Sequence, residues 1–386
     1  MKITKIVGHN VRIPLVYPAK WSGGIRRAAP AFIIEIHTDE GIIGLGECVG
    51  PTIPTLATIV EEEFSQFLIG QDPLKIELLT RRMEEFARNW LKVGYHAISG
   101  IEMALLDIKG KWLNTPVYQL LGGQCKREIS YAGYLFIDEP EINAQRALAY
   151  KNQGYKEIKL KVGRDIKHDV DTLAAIRAAV GNEIRIRVDA NMHWSLPTAI
   201  KWIKAMQPYG LQYVEQPLPD YDLDGMAALR RAVEVPIATD ESCSSVERVL
   251  EMIKREVCDV FVVYISEAGG LTRAHTIASI ADACGKWCVM GTWAETGVAT
   301  IAGAHVIAST TNFAFCNDSH YMLQSDDIIT HPLQIVNGAI PIPEGAGLGV
   351  ALDLQKLEEF KKCEVRESVF FDDIDDEDMP RIGQIM

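Results

Sequence analysis

The chain has 386 residues, of which 48% are hydrophobic and 24% charged, so it can bury a large core and is long enough for a barrel with a second domain. A formal net charge of −13 argues against a nucleic-acid partner, because no basic surface is evident to neutralise phosphates. The eight cysteines form no CxxC pair, which argues against a disulfide framework or a zinc site. With no signal-like apolar start and no apolar run of membrane-spanning length, the sequence predicts a cytoplasmic protein that does not contact membranes.

Residues 1 to about 50 are predicted to form strands and turns. Three apolar segments, ITKIVGHNVRIPL, AFIIEIHTDEG and IIGLGECVG, follow one another, and the TDEG sequence is typical of a hairpin turn. Residues 16–30 separate the first two segments and are rich in Pro, Gly and cations, so we predict a long loop there, either mobile or functional. From 53 to 121 apolar residues recur at helical spacing, which completes a separate α+β domain over residues 1–125.

A row of apolar segments that end in charge follows this first domain. Four of them, IKLKVG, IRVDAN, YVEQPLP and PIATDES, place their charged residues 25 to 28 residues apart, which is about the length of a strand, a helix and two loops. Further strand-like segments are ISYAGYLF before them and VFVVYIS, WCVMGT and NFAFCN after them. The pattern predicts a βα barrel over residues 126–325, with parallel strands that are buried on both faces.

Three acidic residues end consecutive predicted strands: Asp189, Glu215 and Asp240. In a closed barrel the carboxyl ends of the strands meet at one mouth, so these side chains are expected to converge. Converging carboxylates repel one another unless a hard divalent cation binds them, and Mg²⁺ is our first choice, with Mn²⁺ as an alternative. The competing interpretation is that each acidic residue caps the helix that follows it.

The C-terminal segment, residues 326–386, carries two distinctive stretches. GAIPIPEGAGLGV is rich in Gly and Pro, and FFDDIDDED is acidic. We predict that the first stretch covers the barrel mouth or contacts the first domain, and that the second forms a solvated surface.

These motifs resemble those of the enolase superfamily, in the branch that contains muconate lactonising enzymes and mandelate racemase. The similarity covers nearly the whole chain, and the matching motifs are, in order, MKITKI, GLGE, IEMALLDIKGKWLNTPVYQLLGG, KLK, VDAN, VEQP, TDES, EAGGLT and PEGAGLGV. The resemblance implies a capping domain and a modified βα barrel, with Asp189, Glu215 and Asp240 as magnesium ligands. It also implies that Lys161 is the base that removes the proton next to a substrate carboxylate.

Lys159 lies two residues before Lys161 on the same predicted strand. The two side chains therefore share a face, and a neighbouring cation lowers the pKa of a lysine. We expect Lys159 to assist Lys161 in this way; the plainer interpretation is that both are surface charges. Removal of the α-proton leaves a dianionic enediolate, which a divalent cation stabilises.

The sequence departs from the family pattern where a second base is expected. Alignment through Gly269-Gly270 puts Tyr264 at the position of the sixth-strand lysine of the muconate-lactonising branch. The seventh strand ends in MGTW, without the histidine of the mandelate-racemase branch. Glu295 resembles the family's glutamate after that strand and is expected to hydrogen-bond the substrate. Tyr264 remains as a proton donor or orienting hydroxyl.

Three classes of function stay open. The leading prediction is a magnesium-dependent dehydratase that eliminates a β-hydroxyl after Lys161 has removed the α-proton. An isomerase, either a racemase, an epimerase or a cycloisomerase, is second and requires Tyr264 or an unrecognised group on the other face. A non-catalytic binding protein is third, suggested only by the missing second base.

Candidate substrate-binding residues come from several parts of the sequence. They are Trp21, Arg26, Tyr134, Asn191 and Trp293. The segment that also contains Lys20 and Arg27 is predicted to close over the mouth, where cations suit an acidic group. Trp293 and Tyr134 are predicted to form an aromatic wall or to stack on a cationic ring. Packing is the alternative role for each. The predicted substrate is a small carboxylic acid, such as a hydroxy acid, a sugar acid or a hydroxylated imino acid, and we expect a homo-oligomer.

Overall fold

The computed structural model describes residues 1–90, 92–365 and 368–369. The acidic stretch FFDDIDDED, predicted to form a solvated surface, lies outside these residues. Among the described residues, no helix has the length and apolar character needed to cross a membrane.

The first domain is built on an antiparallel sheet. Its long hairpin consists of β1 (Ile3–Trp21) and β2 (Gly24–Thr38), and β2 also pairs with β3 (Ile43–Cys48) and with the short strand Ser368–Val369. The pairing continues to the tip, so residues 16–30 form the end of a hairpin and the prediction of a loop was wrong. The register shifts between Pro14 and Ala19, because proline supplies no N–H for the ladder and the irregularity absorbs that loss.

Helices complete this domain. They are α1 (Ile53–Thr58), a π-helical turn (Ile59–Phe64), α2 (Ser65–Leu68), α3 (Ile76–Phe86), α4 (Lys92–Trp112) and α5 (Val117–Leu120). Helix α4 approaches β3 closely at Gly44 and Gly46. A Cβ atom on these residues would lie 2.2 Å and 1.9 Å from the carbonyl oxygens of Ala104 and Gly100, so only glycine permits this packing.

A curled sheet of seven parallel strands follows, in the order β11-β10-β9-β8-β7-β6-β5. The strands are β5 (Gly133–Leu135), β6 (Glu157–Lys161), β7 (Arg185–Asp189), β8 (Leu211–Glu215), β9 (Ile237–Thr239), β10 (Val260–Val263) and β11 (Trp287–Met290). The helices between and after them are α6 (Pro140–Asn152), α7 (Ile166–Val180), α8 (Leu196–Met206), α9 (Leu223–Ala232), α10 (Val246–Lys254), α11 (Ile265–Ala268), α12 (Leu271–Ala283) and α13 (Gly297–Ala308). This is the predicted α/β class, a modified βα barrel with an N-terminal α+β cap, and its core lies between sheet and helices.

Two predicted barrel strands differ from expectation. ISYAGYLF is divided into β4 (Glu128–Ser130) and β5, because the backbone changes partner between them: Tyr131 donates to Gly338 and Ala132 donates to Asn317. NFAFCN forms no regular strand and makes only two isolated bridges, Phe313 to Cys288 and Asn317 to Tyr131. Those two bridges join the seventh strand to the first and close the barrel.

The C-terminal segment contacts both parts of the molecule. Strand β12 (Ala339–Pro341) pairs with β4, which precedes β5, so it lies away from the carboxyl ends of the barrel strands. Leu348 donates its N–H to Asp107 of α4 at 2.7 Å and accepts a hydrogen bond from His305 of α13 at 3.1 Å. The last helix is α14 (Leu354–Phe360), and 3₁₀ turns lie at Gln207–Tyr209 and Tyr321–Leu323.

Candidate active site

Three carboxylates converge at the carboxyl ends of neighbouring strands. Asp189 ends β7, Glu215 ends β8 and Asp240 follows β9. All three are buried, and one oxygen from each lies within 4.8 Å of the others. The spacing of acidic strand ends in the sequence therefore predicted a true cluster, which we call the carboxylate triad.

The electrostatics of the carboxylate triad fit a divalent cation. Burial and the charge of Asp189 raise the pKa of Glu215 well above its usual value, and burial and Glu241 do the same for Asp240. Glu215 Oε2 is buried and accepts no hydrogen bond from the described residues. Clustered carboxylate oxygens of this kind are ligands for a hard cation, which would relieve both the burial and the repulsion.

Both lysines of the KLK motif reach the triad. Lys161 Nζ donates to Asp189 Oδ2 at 2.6 Å and to Asn191 Oδ1 at 2.8 Å. Lys159 Nζ donates to Glu215 Oε1 at 2.5 Å and lies 3.1 Å from Asp189 Oδ2. Lys161 lines the cleft at the barrel mouth, whereas Lys159 is completely buried. The shared strand face thus places one lysine at the cleft and the other beneath it.

The pKa of Lys161 is raised, which corrects the expectation that Lys159 leaves it lowered. Burial lowers this pKa and Lys159 lowers it further, but the negative charge of Asp189 and the phenol of Tyr134 outweigh both. A divalent cation at the triad would offset the carboxylate charge, so its binding lowers the pKa of Lys161.

A chain of buried charges lies behind Lys159. Lys159 donates to Asp318 Oδ2 at 2.7 Å, and Arg187 donates to Asp318 Oδ1 at 2.6 Å and to Glu157 Oε2 at 2.7 Å. All four side chains are buried. Removing one member would leave an unpaired buried charge, at a cost of about 3–5 kcal/mol, so this chain fixes Lys159 in place.

The sixth barrel strand, β10, provides the opposite side of the cleft. Tyr264 follows it and donates its hydroxyl to Asp240 Oδ2 at 3.1 Å. Burial and the charge of Asp240 raise the pKa of Tyr264 well above 10, which makes the phenol a poor base. Glu267 of α11 also lines the cleft; its Oε1 accepts from Trp293 Nε1 at 3.1 Å, and its Oε2 lies 3.2 Å from the Lys92 ammonium.

The predicted substrate-binding residues surround one cavity of about 220 Å³. Those that line it are Trp21, Arg26, Tyr134, Asn191 and Trp293. Arg26 lies at the hairpin tip of the capping domain and donates from Nη1 to the Trp293 carbonyl at 2.8 Å, so cap and barrel meet here. Lys20 and Arg27 are not part of this lining among the described residues, and Lys20 is exposed to solvent.

Glu295 occupies a different place from the one expected. Its carboxylate accepts from Thr292 Oγ1 at 2.5 Å and from the Trp293 N–H at 2.9 Å. It lines a second, smaller cavity with Tyr131 and Asp318. Because both carboxylate oxygens already accept hydrogen bonds from its own loop, Glu295 holds the turn that carries Trp293, and the expected substrate contact is not supported by this position.

Several residues that line the cleft were missed in the sequence, among them Glu267 and His320. Glu267 lies three residues after Tyr264, and His320 follows the segment that closes the barrel. Both line the cleft; Glu267 lies beyond the end of β10, and His320 lies beyond the irregular segment 312–317. The triad was identified by acidic residues directly at strand ends. Residues 264–266 separate Glu267 from β10, and two residues separate His320 from the segment 312–317, so neither showed that signal.

The family follows from comparison with known sequences. The model of the mandelate racemase / muconate lactonizing enzyme N-terminal domain matches residues 3–122. The enolase C-terminal domain-like model matches residues 142–356. The chain belongs to the mandelate racemase/muconate lactonizing enzyme family of the enolase superfamily.

Its relatives are isomerases that differ in substrate. The chain is 34% identical to the N-succinyl-L-Arg/Lys racemase of Bacillus cereus over 80% of this chain and 85% of that protein. It is 33% identical to a hydrophobic dipeptide epimerase of Enterococcus faecalis over 91% of this chain and 100% of that protein. It is 30% identical to muconate cycloisomerase 1-1 of Acinetobacter lwoffii over 91% and 94% of the two chains.

Solved structures agree with this assignment. The Bacillus cereus racemase superposes with a TM-score of 0.88 at 32% identity, covering 93% of this chain and 98% of that one. The Enterococcus faecalis dipeptide epimerase, solved with Mg and the dipeptide L-Leu-L-Tyr, gives a TM-score of 0.85 at 31% identity, covering 91% and 100%.

Proposed function

We propose that this protein is a magnesium-dependent lyase that removes the α-proton of a small hydroxylated carboxylic acid and eliminates the β-hydroxyl as water. The observation that carries this proposal is the asymmetry of the cleft. Lys161 faces it from one side, whereas the other side presents Tyr264, a phenol with a raised pKa that donates to Asp240. Single-face proton chemistry suits elimination better than racemisation, which needs a group on each face.

The carboxylate triad is the proposed magnesium site. Asp189, Glu215 and Asp240 would hold the ion, which when bound stabilises the negative charge that develops on the substrate carboxylate. The dipeptide epimerase of Enterococcus faecalis was solved with Mg, and it shares this fold with the chain. Mn²⁺ is the proposed substitute, since it also prefers oxygen ligands.

The protein's own part in the reaction is proton transfer by Lys161. Its neutral amine takes the α-proton and becomes an ammonium group. The C–H electron pair is held as the enediolate of the substrate carboxylate and then forms the Cα–Cβ double bond as the Cβ–O bond breaks. The departing hydroxide takes the proton from the same ammonium, which releases water and restores the base. Because one lysine serves both steps, the elimination is syn.

Epimerisation is the second candidate, and Glu267 favours it. This carboxylate lines the sixth-strand side of the cleft, and its Oε2 is paired with the Lys92 ammonium at 3.2 Å. A carboxylate in that position is able to take or return a proton on the face opposite Lys161. The racemase and epimerase relatives act as isomerases, in agreement with this alternative.

The two candidates separate in one experiment. A panel of small β-hydroxy acids, incubated in D₂O with Mg²⁺ and followed by NMR, is expected to lose water, with any α-deuterium entering at retained configuration. Asp189→Asn is the inactive control, because it removes a ligand of the triad. Racemisation of the panel without water loss, suppressed in Glu267→Gln, would overturn the lyase assignment in favour of the epimerase.

A further inference from the structure

His320 presents an unpaired imidazole at the edge of the cleft. The residue follows the segment that closes the barrel, is only 6% exposed and lines the cavity that Lys161 faces. Neither ring nitrogen has a hydrogen-bond partner among the described residues. Buried polar groups are nearly always hydrogen-bonded, so two orphaned nitrogens at a cleft call for a partner from outside the chain.

Aromatic neighbours hold the imidazole in place. The ring of Tyr134 meets it edge-on with centroids 4.5 Å apart, and the ring of Phe136 lies 5.3 Å away. The Lys161 ammonium lies 5.6 Å from the centroid of that same Tyr134 ring. His320 and Lys161 therefore flank one tyrosine and belong to the same side of the cleft.

The charges around His320 decide what kind of group it recognises. Burial, Arg26 and Lys161 all act to lower its pKa well below 6.5, and Lys159 adds to this, while Asp189 opposes it. The imidazole is therefore neutral, with one N–H donor and one acceptor nitrogen. A cationic substrate group is disfavoured beside Arg26 and Lys161, whereas a hydroxyl can donate to or accept from whichever ring nitrogen faces the cleft.

We infer that His320 is a positioning residue that binds a hydroxyl group of the substrate on the Lys161 side of the cleft. The inference rests on the proposed α-proton chemistry and specifies its substrate: an α-carbon acid with a hydroxyl on the neighbouring carbon. Held there, the hydroxyl lies on the same face as the lysine, as syn elimination requires. His320 selects and orients this group, and Lys161 remains the base.

The test uses two variants and two substrates. His320→Phe keeps the aromatic bulk and removes both polar atoms, whereas His320→Gln keeps a donor and an acceptor. Each is assayed in D₂O on a β-hydroxy acid that the wild type uses and on its deoxy analogue, with α-proton exchange measured for both and water loss for the first. His275→Phe, on helix α12 outside the cleft lining, is the matched control, and thermal melting checks the fold of every variant.

We expect His320→Phe to lower kcat/KM for the hydroxylated acid by about 10- to 100-fold, because one or two hydrogen bonds are lost. The rate of α-proton exchange on the deoxy analogue should change by less than about threefold. His320→Gln should recover most of the loss. Equal losses on both substrates, or no loss on either, would refute the inference. Wild type that exchanges the α-proton but never releases water would instead refute the lyase proposal, and the ratio of exchange rates on the two substrates would still test His320.

Discussion

Lys161 on one side of the cleft and Tyr264 on the other each contact a carboxylate of the triad, yet they differ in what they can do with a proton. The lysine donates to Asp189 and faces the cleft, and a cation at the triad would lower its pKa toward that of a usable base. The phenol donates to Asp240, and the carboxylates around it oppose any loss of its proton. The carboxylates therefore raise the pKa of both groups, and the two differ in what loss of the proton leaves: a neutral amine at Lys161, but a further negative charge beside Asp240 at Tyr264.

Among the described residues, the two sides of the cleft have separate hydrogen-bonded support. The buried chain from Glu157 through Arg187 and Asp318 to Lys159 supports the lysine side. It has no connection to Tyr264 among the described hydrogen bonds. A substitution at Tyr264 is therefore expected to leave the proposed base, Lys161, and its support intact.

The largest expected effect comes from replacing Lys161, on the lysine side of the cleft. Lys161→Ala should lower α-proton exchange by at least about 1,000-fold, since it removes the only proposed base on that face. Lys161→Arg should be equally inactive, because arginine keeps the positive charge but does not release its proton near neutral pH. NMR exchange assays in D₂O, with circular dichroism as a check of folding, measure both.

Exchange at the wild-type rate in either variant would require a different base. If α-proton exchange is lost in Lys161→Ala but fully recovered in Lys161→Arg, the side chain acts through its positive charge and not as a base. Lys159 is unsuited to this test, because its removal takes the buried cation from Glu215, leaves Asp318 with Arg187 alone and destabilises the fold as well.

More of the lysine side of the cleft than of the tyrosine side could be predicted from the sequence, for a physical reason. Asp189, Glu215 and Lys161 stand at the ends of buried strands, where an apolar run that stops in charge is visible in one segment. Arg187 and Asp318 are 131 residues apart, and their pairing depends on barrel closure, which no local pattern reveals. The position of His320 and the conformation of the hairpin tip likewise depend on long-range contacts.

A second prediction concerns the stability of the fold at acid pH, which limits the pH range in which the two sides of the cleft can be compared. His305 of α13 accepts from the Tyr118 N–H at Nδ1 and donates from Nε2 to Leu348, so it links cap, barrel and C-terminal segment as a neutral imidazole. Burial lowers its pKa from 6.5 to about 4, against the opposing effect of the hydrogen bond to Leu348. The stability that this group contributes is complete above pH 6.5 and is lost as the pH falls toward 4, by about 3 kcal/mol.

Urea unfolding at pH 4.5, 6.5 and 8 tests this prediction. The wild type should lose stability between pH 6.5 and 4.5, and His305→Gln should lose about 2 kcal/mol less over the same interval. His331→Gln, at an exposed position, serves as the control and should follow the wild type. Identical pH slopes in His305→Gln and the wild type would show that protonation of His305 does not limit acid stability.

The smallest expected effect lies on the tyrosine side. Tyr264→Phe should fit the fold, because the ring packs on Gly291, where a Cβ atom would lie 2.4 Å from the ring carbons, and phenylalanine keeps that ring. Loss of the hydrogen bond to Asp240 should raise the half-saturating Mg²⁺ concentration about tenfold. At saturating Mg²⁺ the rate should fall by less than about threefold, since the phenol is not the base.

The stereochemical outcome decides whether Tyr264 is more than a support for Asp240. Deuterium should enter the α-carbon with retained configuration in the wild type and in Tyr264→Phe alike, because Lys161 delivers it from one face in both. The measurement is the enantiomeric composition of recovered substrate after partial reaction in D₂O. Rapid racemisation by the wild type that disappears in Tyr264→Phe would make the phenol a second base, and it would do so despite its raised pKa and its bond to Asp240. Racemisation that survives in Tyr264→Phe but disappears in Glu267→Gln would assign the second face to the carboxylate one helical turn away.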